Sequence, residues 1–206
     1  MGQRSQIYIS WENDNGEREL IARYFSWNYG ERMISRAAAL IDHLSMMADI
    51  NDFKKEKITK ISEINFDMRD VAMTSDLIEE ALNDGHDETK SVLFNNDNND
   101  GKLFITVCKT DGEHTNAFGR ITPNRKILYC FTDCDNQNIM NARQYLQWDC
   151  GDDMSNNESW KSSLDDNTIK YTEENIKTID ETGELMTEEN LQDFINYDYP
   201  CLQNIV

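Results

Sequence analysis

Apolar residues recur at positions 33, 34, 37, 40, 41, 44, 47 and 48, the spacing that gathers side chains along one side of a helix. The pattern predicts one long helix over about residues 31–49. Ala37, Ala38 and Ala39 strengthen it, adding roughly half a kcal/mol each over a β-branched residue. Arg32, Ser35, Arg36, Asp42 and Asp49 fall off the stripe and are expected to face solvent or a partner. Just upstream, Asn28 and Gly30 stand where a chain turning from strand into helix needs a capping side chain or a permissive backbone.

Ahead of the helix, residues 4–11 alternate, with Ile7, Ile9 and Trp11 on one side and Gln6, Tyr8 and Ser10 on the other. Asn15-Gly16 then signals a hairpin, because a two-residue turn needs positive φ at both central positions. The return strand is expected at 19–27. Further on, Thr74 or Ser75 caps a helix at 76–82, and residues 91–94 and 102–107 read as strands around an asparagine-rich loop. Gly112 marks another hairpin, 126–132 is a strand, and 139–148 is a helix with Ile139, Ala142, Tyr145 and Leu146 inward. Thr172-Glu173-Glu174-Asn175 and Thr187-Glu188-Glu189-Asn190 each read as a helix start with threonine as the cap.

These elements add up to an α+β fold: an antiparallel, hairpin-rich sheet packed by one long helix. Charge changes the picture after Gly151, where residues 151–206 carry 14 acids against 3 lysines. A domain at 1–150 is therefore expected to carry an acidic, partly helical C-terminal extension, 151–206, packed on it. The whole chain has 39 acidic and 20 basic residues, a net charge of −19. That disfavours direct contact with nucleic-acid phosphates and favours a basic partner. No apolar run approaches the ~18 residues of a membrane span, and neither a span nor a signal peptide is expected. Five cysteines without framework spacing fit the reduced thiols of a cytoplasm.

Catalytic signatures are sparse. There is no phosphate-binding glycine loop, no Gly-x-Ser-x-Gly and no His-Glu-x-x-His; His43 belongs to the predicted helix as a structural or exposed residue, and His86 and His114 have no obvious nucleophile beside them in sequence. A calcium loop aligned on Gly101 fails, since its twelfth position falls on Val107 where a glutamate is required. Asp133 and Asp135, just past a strand, are an alternative pair for a divalent cation. Arg4, Asn28, Glu31 and Arg32 are an alternative catalytic set, which the hairpin and the helix start bring within reach of one another. No cofactor is expected.

The strings Gly2-Gln3-Arg4-Ser5-Gln6-Ile7-Tyr8 and Trp27-Asn28-Tyr29-Gly30-Glu31-Arg32-Met33-Ile34-Ser35-Arg36 carry a resemblance. So do Asn65-Phe66-Asp67-Met68-Arg69-Asp70 and Asp97-Asn98-Asn99-Asp100-Gly101-Lys102-Leu103. The chain resembles a family of small proteins carried by phages, plasmids and integrative elements of Gram-positive bacteria. The likeness runs over roughly the first 150 residues and leaves out the acidic end. Some members look like anti-CRISPR proteins acting on the type II effector nuclease. The resemblance implies an anti-defence protein of the bacterial cytoplasm whose partner is a basic nuclease, and it implies no catalytic residue.

Such a nuclease holds guide and target in a strongly basic channel. An acidic surface that mimics nucleic acid would occupy that channel and block guide or target DNA. Its expected contacts are Asp152, Asp153, Glu158, Asp165, Asp166, Glu173 and Glu174. Two other readings stand beside this one: a hydrolase or nuclease-like enzyme acting on guide RNA or a defence component, and a phage accessory protein with no inhibitory role.

Overall fold

The structure, a computed structural model, describes residues 4–26, 28–47, 49–50, 74–75, 101–115, 119, 121–133, 138–149 and 159–197. The expected helix at 76–82, the strand at 91–94 and the loop from Asn95 lie outside them. Strands β1 (Arg4–Glu12) and β2 (Arg18–Ser26) form the first hairpin, with Glu12 opposite Arg18. Its loop is five residues, where a two-residue turn is expected from Asn15-Gly16. The Asn13 side chain sets the geometry by accepting from the backbone N–H of Asn15 and Glu17 at 2.9 and 3.0 Å. Gly16 supplies the positive φ of +79°.

Helix α1 spans Gly30–Met46, close to the predicted limits. A short strand, β3 (Thr74–Ser75), pairs with β2. The chain re-enters as β4 (Lys102–Thr115), turns into β5 (Ile121–Thr132) and continues through helix α2 (Ala142–Asp149). A 3₁₀ turn (Ser159–Ser163), helix α3 (Asp166–Thr182), strand β6 (Gly183–Leu185) and helix α4 (Glu188–Asn196) complete the described chain. The strand order is β3-β2-β1-β4-β5-β6.

The sheet is mixed, which corrects the antiparallel expectation. β1 runs parallel to β4, and β5 runs parallel to β6. The cause is the crossover: α1 separates the first hairpin from β4, and a connection of that length lets a strand return in the same direction. Nor is α1 the one long helix, since α3 has the same 17 residues and packs directly on it.

Both sheet faces are covered. Ile7, Ile9 and Trp11 of β1, Leu103, Ile105 and Val107 of β4, and Ile127, Tyr129 and Phe131 of β5 face α1, α2 and α3. The residues between them, Tyr8, Phe104 and Cys130, face α4 with Met186, Leu191 and Phe194. This period-two division follows from the pleat, and it explains why the central strands are apolar on both sides. Ile176 and Ile179 of α3 are fully buried in the first layer, contributing ~2 kcal/mol each.

Three local expectations need correction. Ser35 and Arg36 are buried, because α1 is enclosed by the sheet on one side and by α3 on another. Thr172 lies mid-helix and bonds back to the Thr168 carbonyl at 2.8 Å, so α3 starts seven residues earlier than Thr172 as a cap implies, with Asp165 as its cap. Thr187, by contrast, caps α4 in a reciprocal capping box with Asn190. Ile139 packs in the α4 layer, apart from Ala142, Tyr145 and Leu146, because Met140 bridges Phe131 of the sheet and divides the segment between faces.

Candidate interaction surface

The acids of the C-terminal quarter ride on elements whose apolar sides are fastened to the core. Asp165 is exposed and accepts from the backbone N–H groups of Asn167 and Thr168 at 3.0 Å each. Its bonds from Thr168, and then from Asn167, hold the carboxyl below the usual range. Glu173 is half-buried between Arg143 (2.6 Å) and Lys161 (3.1 Å). The Arg143 hydrogen bond, followed by Lys161, lowers its pKa. Both side chains therefore have structural duties that a bare acidic pattern does not reveal. Glu174 is exposed with Lys170 4.0 Å away, and Asp166 is exposed with no ion pair among the described residues. Asp152, Asp153 and Glu158 lie outside the described residues.

A second group of acids, not singled out in the sequence, gathers where α3 passes through β6 into α4. Asp180 and Glu181 end α3, Glu184 is in β6, and Glu188 and Glu189 open α4, all five exposed. Glu184 pairs with Lys126 at 2.8 Å and Glu181 with Lys177 at 3.6 Å. Glu188 and Glu189 sit favourably at a helix N-terminus. Asp180 and Glu181 face the negative end of α3, an unfavourable placement by ~0.5 kcal/mol each. Since α3 and α4 cover opposite faces of the sheet, this rim carries negative charge around the edge from one face to the other. Gly183 makes the sharp passage possible: an added Cβ would stand 2.7 Å from Tyr129 Cδ1 and 3.2 Å from the Ile179 carbonyl oxygen.

Of the alternative catalytic set, Asn28, Glu31 and Arg32 have described side chains. Asn28 is buried and turned inward, donating to Ser5 Oγ at 2.8 Å and to Met33 Sδ at 3.2 Å, while its Oδ1 accepts from Arg36 Nε at 3.2 Å. It thus braces β1 against α1 and does not cap the helix. Arg32 lies over the Tyr29 ring, 5.5 Å from its centroid. Glu31 is half-buried, and nothing is described of the Arg4 side chain. Asp133 accepts a hydrogen bond from Asn138, and Asp135 lies outside the described residues. Among the described residues no three His, Cys, Asp or Glu side chains group as metal ligands.

A cleft of about 250 Å³ does open beside the first hairpin, at the opposite end of β1 from Asn28. Ser10, Glu12, Arg18, Thr106, Cys108 and Lys109 line it. Its cations are committed to acids: Arg18 bonds Asp193 and lies over the Tyr197 ring at 4.4 Å, and Lys109 holds Asp14 at 3.1 Å. Burial raises the Cys108 pKa, only partly countered by Lys126 and Arg18, so the thiol is not activated.

Strand pairing also gives His114 neighbours invisible in sequence. Its Nδ1 lies 3.0 Å from Asn124 Oδ1 and its Nε2 lies 3.0 Å from Thr122 Oγ1. The order hydroxyl–imidazole–amide resembles a nucleophile, base and orienting group. Thr122 is fully buried, however, and its hydroxyl also reaches the His114 carbonyl at 3.3 Å. No substrate carbonyl can approach that oxygen, and the trio acts as a clamp across the β4–β5 hairpin. No helix among the described residues is long and apolar enough to cross a membrane. Comparisons with known protein families, with curated proteins and with solved structures find no match to this chain.

Proposed function

We propose that the protein is an anti-defence inhibitor that acts in the bacterial cytoplasm by binding a basic nucleic-acid-handling protein, a type II CRISPR effector nuclease, through its acidic C-terminal surface. The resemblance of the first 150 residues to mobile-element proteins supplies the class of target. One structural observation supports the binding mode: α3 and α4 bury Ile176, Ile179, Leu191 and Phe194 in the core, and α3, β6 and α4 leave a run of carboxylates exposed. A rigid array of this kind presents negative charge without the entropy cost that ordering a loose acidic tail would impose. Complementary fields raise association rates ten- to a thousand-fold, and salt screens them over roughly 8 Å at physiological strength.

The test is binding of the purified protein to a type II effector across a salt series. Affinity is expected to fall with salt, and the triple variant Glu174→Lys, Glu181→Lys, Glu184→Lys is expected to lose more than about tenfold, or 1.4 kcal/mol. Binding indifferent to both salt and reversal removes the mimicry. The enzyme reading is tested alongside, by incubating guide RNA with substoichiometric protein, with magnesium or with a chelator. Turnover of the RNA would replace the binding reading, whereas stoichiometric inhibition with intact RNA supports it.

A further inference from the structure

We infer that the open edge of β6 is a docking strand for an extended, lysine- or arginine-bearing segment of the partner, which adds to the sheet by main-chain pairing. This rests on the proposal that the partner is basic and names how such a partner engages. Among the described residues, β6 ends the sheet beyond β5. Tyr129 is the register partner of Leu185, and the Tyr129 carbonyl accepts from the Met186 N–H at 2.8 Å. In a parallel ladder a residue bonds to the two neighbours of its partner. The N–H and C=O of Leu185 therefore point away from β5, toward the open edge, and its side chain is 39% exposed.

Native sheets commonly blunt an edge with charge, and here negative charge is in excess. Asp180, Glu181, Glu184, Glu188 and Glu189 flank the strand, with Lys126 and Lys177 the cations paired to two of them among the described residues. Such a rim repels a second copy of this chain, which would bring the same five carboxylates. It attracts a strand whose side chains are cationic, and that complementarity selects the occupant. In strand addition backbone bonds supply affinity, and here the flanking carboxylates supply selectivity.

The test uses a fluorescein-labelled, end-blocked peptide of alternating lysine and valine, and the same peptide N-methylated at alternate residues. Both carry the same charge, but the second has lost the donors on one edge. Anisotropy at low ionic strength is expected to show the unmethylated probe binding at least about tenfold tighter. Leu185→Pro is expected to abolish that difference, because proline removes an outward N–H without touching the β5–β6 ladder. Equal binding of the two probes, or a difference that survives in a folded Leu185→Pro variant, overturns the inference. Should that variant fail to fold, the comparison of probes on the native protein decides alone. A protein that discriminates the probes yet binds no effector nuclease retains the docking strand and loses the proposed function. If Leu185→Pro binds the effector as well as the native chain does, the reverse holds.

Discussion

Tyr8 and Phe104 stack with ring centroids 4.8 Å apart and planes 9° from parallel, on neighbouring strands that run in the same direction. Phe194 of α4 meets Phe104 edge-on at 5.2 Å. The three rings join the parallel centre of the sheet to the helix that carries Glu188, Glu189 and Asp193. Tyr8 is fully buried, donates to Gln6 and has its pKa raised well above the ordinary value by burial.

Phe194→Ala is expected to cost ~3–5 kcal/mol, since the ring is nearly fully buried and its site is closed by Tyr8, Phe104 and Leu191. The loss is expected to be local first. Hydrogen exchange should accelerate in α4 more than in α3, which is held by Ile176 and Ile179 in the other layer. Equal acceleration of both helices would contradict the assignment of α4 to its own face.

Glu173→Gln is expected to lower stability by ~1 kcal/mol at neutral pH, as one carboxylate ties α3 to both Arg143 and Lys161. Its folded pKa is depressed. Its contribution is therefore present above the unfolded pKa, near ~4.3, and is lost as pH falls through the folded value. Urea midpoints against pH should drop less steeply on the acid side in Glu173→Gln than in the native chain. Parallel curves would show that the two cations contribute nothing beyond their contact.

Asn28→Ala is expected to cost ~1–3 kcal/mol by leaving Ser5 and the Arg36 Nε without their amide partner. Binding to the proposed partner by the folded variant should match that of the native chain, because Asn28 is 1% exposed and braces the core. Loss of that binding at unchanged melting temperature would show that Asn28 does more than brace the core.

Cys130 is expected to resist alkylation in the folded protein, because burial pushes its thiol up to about 12 and its sulfur packs 3.7 Å from Met186 Sδ. The reactive thiolate is therefore scarce near neutral pH. Peptide mapping after iodoacetamide should find Cys130 modified only once denaturant passes the unfolding midpoint. Rapid labelling of the native chain would show that α4 opens readily from the sheet.

Local order was legible where one periodicity dominated. The alternation at Ile7, Ile9 and Trp11 and the stripe from Met33 to Leu44 both appear in the structure near their expected limits. Reading failed where a residue answers to a distant neighbour. Nothing near Arg36 announces that it is buried with its Nε on Asn28, and nothing near Glu173 announces Arg143. The capping duty of Asp165 was hidden for a related reason: a helix cap and a surface acid look alike until the start of the helix is known. The acids at 180–189 were passed over because two helical runs with a glycine between them do not show that a strand lies there.

Composition and period alone thus determined an acidic α+β chain, the first hairpin and the helix that follows it, because those depend on burial patterns within a dozen residues. Only the tertiary structure decided that β4 lies parallel to β1, that α3 and α4 cover opposite faces, and that the carboxylates meet around β6. Strand direction and face assignment depend on where a crossover returns, and that is set by packing between segments far apart in the chain.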